Sequence, residues 1–220
     1  MINQAVLDDL SRQAIVHDFR LLQGFRLADT DVSHCFALLN FLDPPRASYW
    51  LDVGCGFGEP ARIMHAIRPD LSFMLLNNNQ VQLEYAPKLF EQVHADMHEM
   101  PFHDGLFDGV MFLYSLCHAD DLCRVLREAA RVVRPGGQLF VFDYLRHDGD
   151  DAESWRLLSA RFPYKLELEV CFEMTRWQPI AWEIPDGSDA VFRAFFNDNA
   201  LYDQVIGRPL RPYLLKAVRR

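Results

Sequence analysis

Apolar residues follow two different rhythms along the chain, and the change between them divides it. Over residues 1–45 they recur at roughly helical spacing, as at Val6, Leu10 and Ile15, which predicts N-terminal helices. Over residues 49–144, short apolar runs alternate with amphipathic stretches instead. That alternation indicates strands and helices in turn, and therefore an α/β domain with a parallel sheet covered by helices on both faces.

The elements follow from the same pattern. The predicted strands cover residues 49–53, 73–76, 92–94, 107–113, 139–142, 180–184 and 213–218. The predicted helices that follow residue 49 cover residues 60–67, 80–88, 122–133 and 151–162, and a glycine at 136–137 is expected to end the third of them. The segment 167–177 fits neither pattern, and we expect it to cover the ligand-binding edge of the sheet.

A glycine-rich turn, Gly54-Cys55-Gly56-Phe57-Gly58, joins the first strand to the next helix. Glycine permits a tight turn and a close approach of a ligand, and open α/β sheets bind ligands at the carboxyl ends of their strands. The GxGxG spacing differs from the GxGxxG of dinucleotide sites, and Glu59 would repel a pyrophosphate. An NAD-dependent oxidoreductase is therefore less favoured, and a tight turn without a ligand is the plain alternative.

Composition narrows the function classes. The chain has 220 residues, half of them hydrophobic, which suits a single domain, and its net charge of −9 disfavours non-specific nucleic-acid binding. The C-terminal arginines (Arg208, Arg211, Arg219 and Arg220) are interpreted as a solvated basic terminus rather than a phosphate site. No apolar run approaches the roughly 18 residues of a transmembrane helix, so a soluble, cytoplasmic protein is expected.

Cysteine and histidine spacing suggests neither disulfides nor metal. None of the five cysteines forms a CxxC pair, so we expect free thiols in a reducing compartment. The pairs His94/His98 and His98/His103 do not lie on a predicted helix, so no metal site is assigned.

Four segments, in order, carry a family resemblance. Residues 51–61, Leu-Asp-Val-Gly-Cys-Gly-Phe-Gly-Glu-Pro-Ala, closely resemble the first motif of class I S-adenosylmethionine-dependent methyltransferases. Ala95-Asp96-Met97 with residues 100–108, then residues 115–118, then residues 131–137 resemble the later motifs of that family. Asparagine at position 77 is similar to the branch that contains quinone, tocopherol and natural-product methyltransferases.

This resemblance implies a Rossmann-like sheet of seven strands, mostly parallel with the last strand antiparallel, in one domain. Residues 1–45 would form a helical cap over the active site, residues 49–144 the cofactor-binding core, and residues 145–220 a substrate-side segment and final strands. It also implies S-adenosylmethionine as the cofactor.

The cofactor roles are likewise implied by the resemblance. Asp52 would accept a hydrogen bond from the amino group of the cofactor, Asn77 and Gln82 would reach the ribose, and Asp96 would accept one from the adenine amino group. An alternative for residues 77–79 is a polar turn that caps the next helix. The full predicted set is Asp52, Gly54, Cys55, Gly56, Gly58, Asn77, Asn78, Gln82, Asp96, Met97 and Leu113.

Catalysis and substrate are less constrained. A base is needed only if the acceptor must lose a proton. The candidates are His118, Tyr114, His17 and His103, of which His118 and Tyr114 are assigned, and a structural histidine is the alternative for His118. The predicted function is C- or O-methylation of a small apolar or aromatic molecule, as in secondary metabolism, by a monomer or homodimer. A non-catalytic cofactor-binding protein or partner subunit is the alternative. The aromatic residues expected near the substrate are Phe19, Phe25, Phe162, Tyr164, Phe172, Trp177, Trp182, Phe192, Phe195, Phe196 and Tyr202.

Overall fold

The computed structural model describes residues 25–146, 160–188 and 210–220, and within them the chain forms a seven-stranded sheet flanked by helices. The strands are β1 Tyr49–Val53, β2 Ser72–Asn77, β3 Glu91–His94, β4 Phe107–Leu113, β5 Val133–Arg146, β6 Trp177–Glu183 and β7 Leu210–Arg219. The helices are α1 Asp31–Leu42, α2 Glu59–Ile67, α3 Gln80–Tyr85, α4 Leu122–Val132 and α5 Lys165–Met174.

The order of the strands across the sheet is β3-β2-β1-β4-β5-β7-β6. Strands β1 to β5 pair in parallel, and β7 pairs antiparallel with both β5 and β6. The predicted fold class, a mostly parallel seven-stranded sheet with an antiparallel last strand, is confirmed. Because the order reverses at β1, the glycine loop that follows β1 lies at the topological switch point, where such sheets bind ligands.

Alternate residues of the strands enter two hydrophobic cores, one on each face of the sheet. Val110 and Val141 face α4 and α5, whereas Met111 and Phe140 face α1 and α2. Strands buried on both faces are typical of parallel sheets with helical crossovers. The predicted apolar stripe of α4 is buried as expected, and Asp121 caps this helix by accepting a hydrogen bond from the Arg124 N–H at 2.9 Å.

The segment 167–177 was predicted wrongly. It forms most of α5, which packs against α4, and the indole N–H of Trp177 donates to the Leu126 carbonyl at 2.9 Å. This places it on a face of the sheet rather than at the ligand-binding edge. In α5 the exposed residues Leu166, Val170 and Met174 recur every four positions, so apolar side chains lie on the solvent face as well as on the buried face. The sequence therefore shows no clear helical periodicity of apolar residues.

The prediction of free cysteines is also wrong for one pair. Cys123 on α4 and Cys171 on α5 form a disulfide, with Cα atoms 5.0 Å apart and 48 residues between them in sequence. The pairing depends on the packing of the two helices, which no local spacing reveals. Cys35, Cys55 and Cys117 are free and buried.

Some boundaries differ from the prediction. The turn at 134–137 does not cap α4, because Val133 is already extended and begins β5, and the left-handed Gly136 lies within that strand. Helix α1 agrees with the helical pattern before residue 45, while residues 1–24 and most of the predicted helix 151–162 lie outside the described residues. No helix in the described part of the chain has the length and apolar character to span a membrane.

Candidate functional site

The glycine loop is fastened to the neighbouring strands. The backbone N–H groups of Gly54 and Cys55 both donate to the Leu76 carbonyl at the end of β2, at 2.8 and 3.1 Å. From the other side, the Ser115 hydroxyl donates to the Val53 carbonyl at 2.5 Å. These contacts fix the loop between β2 and β4, so it is a rigid element rather than a loose connection.

The three glycines of the loop serve two purposes. Gly54, Gly56 and Gly58 all have φ between 56° and 68°, which side chains disfavour. A Cβ at Gly54 would lie 2.5 Å from the Cβ of Ser115, and one at Gly58 would lie 2.7 Å from a methyl group of Leu75. Among the described residues, a Cβ at Gly56 would meet no atom within 4 Å. Gly54 and Gly58 therefore permit packing, whereas Gly56 borders open space that a ligand can approach.

Asp52 is a buried acid at the end of β1, next to this loop. Its side chain is 1% exposed, and burial raises its pKa to about 8. One carboxyl oxygen, Oδ2, is buried and has no hydrogen-bond partner among the described residues. An unpaired buried acceptor is costly, and a cationic or N–H donor from a ligand would satisfy it.

The asparagines after β2 divide into a ligand-facing group and a cap. The Asn77 amide donates to the Gly56 carbonyl at 3.2 Å and to the Gln82 side-chain oxygen at 2.8 Å. Asn79 accepts from the Gln82 backbone N–H at 3.0 Å and caps α3. Asn77 and Gln82 therefore lie together at the glycine loop. The capping alternative holds for Asn79, and Asn78 is half-buried beside them.

Asp96 follows β3 and is held by a histidine. Its Oδ1 accepts from the His98 backbone N–H at 2.8 Å and lies 2.6 Å from Nδ1 of the His98 ring. The other ring nitrogen accepts from the Asp121 N–H at 3.2 Å, so Nδ1 carries the proton that Asp96 accepts. Although burial opposes it, these bonds lower the pKa of Asp96. The carboxylate is 65% exposed, ionised and oriented, while Met97 is packed in the core behind it.

Tyr114 follows Leu113, the buried last residue of β4, and its hydroxyl is engaged. It donates to the Phe25 carbonyl, and the Phe25 N–H donates to the Tyr144 hydroxyl at 2.9 Å. Burial raises the pKa of Tyr114 well above its ordinary value. The two tyrosines, one directly after β4 and one on β5, thus bind the chain that leads into α1, and Tyr114 is poorly suited to accept a proton.

His118 ends the short 3-10 helix Leu116–His118 and is half-buried. Below this turn, Asp143 on β5 accepts from the Cys117 N–H at 3.0 Å and from the Tyr144 N–H at 2.8 Å. Burial raises the pKa of Asp143, although these bonds and the charge of His118 oppose the rise. The turn that carries His118 is therefore anchored to a buried acid in the sheet.

The predicted aromatic set is split by the fold. Phe25 is bound to both tyrosines, and Phe162 packs edge-on against Tyr144 with ring centroids 6.1 Å apart. In contrast, Phe172 and Trp177 are buried between α4, α5 and the sheet, and Trp182 stacks on Tyr213, so these three were wrongly assigned to the substrate side. Phe19, Phe192, Phe195, Phe196 and Tyr202 lie outside the described residues.

Among residues that the structure describes, no group of three or more histidine, cysteine, aspartate or glutamate side chains is arranged to hold a metal ion.

Comparisons with known proteins match the same part of the chain. Residues 51–141 match the family described as a methyltransferase domain. The chain is 37% identical over 147 residues to a sterol 24-C-methyltransferase of Aspergillus fumigatus, across 63% of this chain and 39% of the relative. It is 40% identical over 104 residues to the 27-O-demethylrifamycin SV methyltransferase of Amycolatopsis mediterranei, across 43% and 38%. The chain thus spans about two fifths of the length of these relatives.

A solved structure shares the fold. The geranyl diphosphate C-methyltransferase from Streptomyces coelicolor A3(2) superposes with a TM-score of 0.73 over 86% of this chain and 80% of its own, at 13% identity. At that identity the likeness concerns the arrangement of strands and helices, not the chemistry.

Sequence reasoning missed three participants. His98 was considered only as a metal ligand, yet it orients Asp96. Asp143 and Tyr144 lie within an apolar strand that gives no sign of a polar role, and only the turn above them shows what they hold. The available signal was a carboxylate directly after a predicted buried strand, because a buried carboxylate needs hydrogen-bond partners.

Proposed function

We propose that the chain, whose residues 51–141 match a methyltransferase domain, is a class I S-adenosylmethionine-dependent methyltransferase that transfers a methyl group from S-adenosylmethionine to a small apolar or aromatic molecule. One observation carries the cofactor assignment. At the carboxyl end of β1, the unpartnered Asp52 oxygen lies next to a glycine loop in which Gly56 borders open space. The residues present therefore fit the amino-acid part of such a cofactor, with a carboxyl oxygen for its ammonium group.

The remaining contacts follow along the edge of the sheet. Asn77 and Gln82 would bind the ribose hydroxyls, and both lie at the glycine loop with amide groups that hydrogen-bond each other. Asp96, oriented by His98, would accept from the adenine amino group. Leu113, Met97 and the backbone of Cys55 would complete the walls.

When bound, the cofactor supplies a methyl group on a positively charged sulfur, so the protein mainly provides proximity and orientation. The bond from that methyl group to sulfur breaks as a bond to the acceptor atom forms. If the acceptor is a hydroxyl or an acidic carbon, its proton must leave, and we assign the proton to His118. Tyr114 holds Phe25 instead, because its hydroxyl is buried and already donates.

The acceptor class rests on the relatives and on the aromatic residues. The two relatives act, by their names, on a sterol carbon and on a hydroxyl of a rifamycin, which supports C- or O-methylation of an apolar molecule. Phe162 and Tyr144, which are buried in edge-on contact with each other near the end of β5, would support the apolar wall of such a site. We further propose a cytoplasmic monomer or homodimer that does not act on nucleic acid, in line with the net charge of −9.

Calorimetry with S-adenosylmethionine, S-adenosylhomocysteine and NAD tests the cofactor. We expect saturable heats from the first two and none from NAD, and binding of NAD alone would refute the proposal. Turnover of labelled cofactor with a panel of sterol, polyketide and phenolic acceptors separates an enzyme from a non-catalytic cofactor-binding protein, which would bind the cofactor and methylate none of them.

His118→Ala tests the proton assignment. For a hydroxyl acceptor, we expect kcat to fall about 100-fold, as is common when a general base is removed, with unchanged cofactor affinity. His103→Ala, an exposed histidine elsewhere, is the matched control. Unchanged kcat in His118→Ala would make it a structural histidine.

A further inference from the structure

A cavity lies at the opposite edge of the sheet from the glycine loop. It has a volume of about 400 Å³ and lies where β4, β5 and β6 begin. We call it the arginine cavity, because four of its lining residues are arginines: Arg127, Arg131, Arg176 and Arg219. Its acidic lining residues are Asp104 and Glu128. A local excess of positive charge is notable in a chain whose net charge is −9.

Both acids are already bound to one arginine. Arg131 donates to Asp104 at 3.0 Å through Nη1 and to both oxygens of Glu128 at 2.9 Å through Nε and Nη2. Glu128 also accepts from the Met100 N–H at 3.0 Å. Both carboxylates of the cavity are therefore bound to Arg131, and within the described residues none of its other three arginines forms a direct ion pair. Four arginines against two carboxylates leave the lining with a net charge of +2.

Arg219 is the most demanding of these three. Its side chain is 8% exposed, and its Nε is buried without a hydrogen-bond partner in the described part of the chain. Its Nη1 donates to the carbonyl of Val133, so the guanidinium is held in place. Burial, and next the charge of Arg176, lower the pKa of Arg219, and the nearby charge of Asp104 only partly opposes this. A guanidinium cannot relieve this cost by losing its proton, so an anion is what the site lacks.

Arg127 and Arg176 complete the positive surface. Both are exposed, and neither takes part in an ion pair within the ranges that the structure describes. They come from α4 and from the turn before β6, so with Arg219 they approach the cavity from three separate elements. Three guanidinium groups around one space present many N–H donors to a single polyoxygen anion.

We propose that the arginine cavity binds the phosphoryl group of a small organic phosphate. The volume exceeds what one phosphoryl group fills and lies within the range of small-molecule sites. Met174 and Ala130 provide an apolar wall for the organic part, and Arg127, Arg176 and Arg219 bind the phosphoryl oxygens. The site is separate from the proposed methyl transfer and does not depend on it.

Titration calorimetry with inorganic phosphate, glycerol 3-phosphate and acetate, at constant ionic strength, tests this assignment. We expect saturable binding of both phosphates. Tighter binding of glycerol 3-phosphate would identify an organic phosphate as the ligand, whereas equal or tighter binding of inorganic phosphate would identify the free ion. Arg127→Gln and Arg176→Gln should each weaken phosphate binding about tenfold or more, since each removes a hydrogen bond to a charged group.

Arg124→Gln is the matched control, because Arg124 lies one turn earlier on α4, is exposed, and does not line the cavity. We expect its phosphate affinity to equal that of the wild type. The proposal is overturned if the wild type shows no saturable phosphate binding, if acetate binds as tightly, or if all three variants bind equally. Because Arg127 and Arg176 are exposed, their substitution leaves the fold intact even if Arg219→Gln fails to fold.

Discussion

Each of the two edges of the central sheet carries a buried ionisable group, an acid at one and a base at the other. Among the described residues, Asp52 at the carboxyl edge has an oxygen without a hydrogen-bond partner beside the glycine loop, and Arg219 at the amino edge has an N–H without one in the arginine cavity. Burial has different consequences for the ionisation of the two groups. Burial raises the pKa of Asp52 to about 8, so this acid remains largely protonated and neutral near pH 7 when no ligand is bound.

Arginine has no such option, because its guanidinium keeps its proton at every pH at which proteins fold. The carboxyl edge is therefore suited to a site that alternates between empty and filled by a cation. The amino edge needs an anion whenever Arg219 is buried. This difference can be tested at both edges of the sheet.

The largest effect concerns the pH dependence of stability at Asp52. The folded pKa is raised above the ordinary value of 3.8, so between about pH 4 and pH 8 the folded state holds a proton that the unfolded state has lost. Stability from this group is full below pH 4 and is lost as the pH rises, by up to about 5 kcal/mol. Urea unfolding at pH 5 and pH 8 should show this loss in the wild type and not in Asp52→Asn. Parallel pH profiles would contradict it.

The next effect concerns the Cys123–Cys171 disulfide, which joins the two helices that border the arginine cavity. Reduction should lower the free energy of unfolding by about 2–4 kcal/mol, as expected for a loop of this length. It should also weaken phosphate binding, while cofactor affinity at the other edge is unchanged. Cys171→Ala is the control, since reductant should not destabilise it further. Equal losses of affinity at both edges would mean that the edges are coupled.

A smaller effect separates two glycines of the loop. Gly54→Ala and Gly56→Ala both place a side chain at positive φ, at a cost of about 1–2 kcal/mol. At Gly54 the new methyl group also meets Ser115, which adds about 1–3 kcal/mol. Denaturant unfolding should therefore rank Gly54→Ala below Gly56→Ala, while calorimetry should show that Gly56→Ala loses cofactor affinity. Equal stabilities would mean that the loop shifts to accommodate both.

The sequence predicted the carboxyl edge far better than the amino edge. Strands over residues 49–144, the glycine loop and the stripe of α4 are local patterns, and a parallel sheet brings the ends of its strands together. The arginine cavity has no local pattern, because Arg127 and Arg219 meet only after α4 packs beside the sheet and β7 inserts between β5 and β6. The prediction that Arg219 belongs to a solvated terminus is wrong, because Arg219 is buried at the end of β7.

Within the candidate site at the carboxyl edge, contacts that form only through tertiary packing are likewise not predictable from sequence spacing. The motif pointed to Asp96, but its partner His98 could not be identified from spacing, because the ring also contacts Asp121, the cap of α4. For the three consecutive asparagines, the sequence left open whether they cap the next helix or contact the cofactor. The structure shows that Asn79 is the cap.

The smallest effect uses one matched pair of exposed acids, one at each edge. Asp96→Asn removes the carboxylate charge that we propose binds the adenine amino group, and should weaken S-adenosylmethionine binding about tenfold with little change in stability. Asp104→Asn removes one of the two carboxylates that bind Arg131 and leaves Glu128, so the arginine cavity becomes more positive and phosphate should bind more tightly. Each substitution should leave the ligand of the other edge unaffected. Calorimetry of each variant with each ligand gives four affinities. The two edges are independent only if each variant changes the affinity for the ligand of its own edge and not for the other ligand.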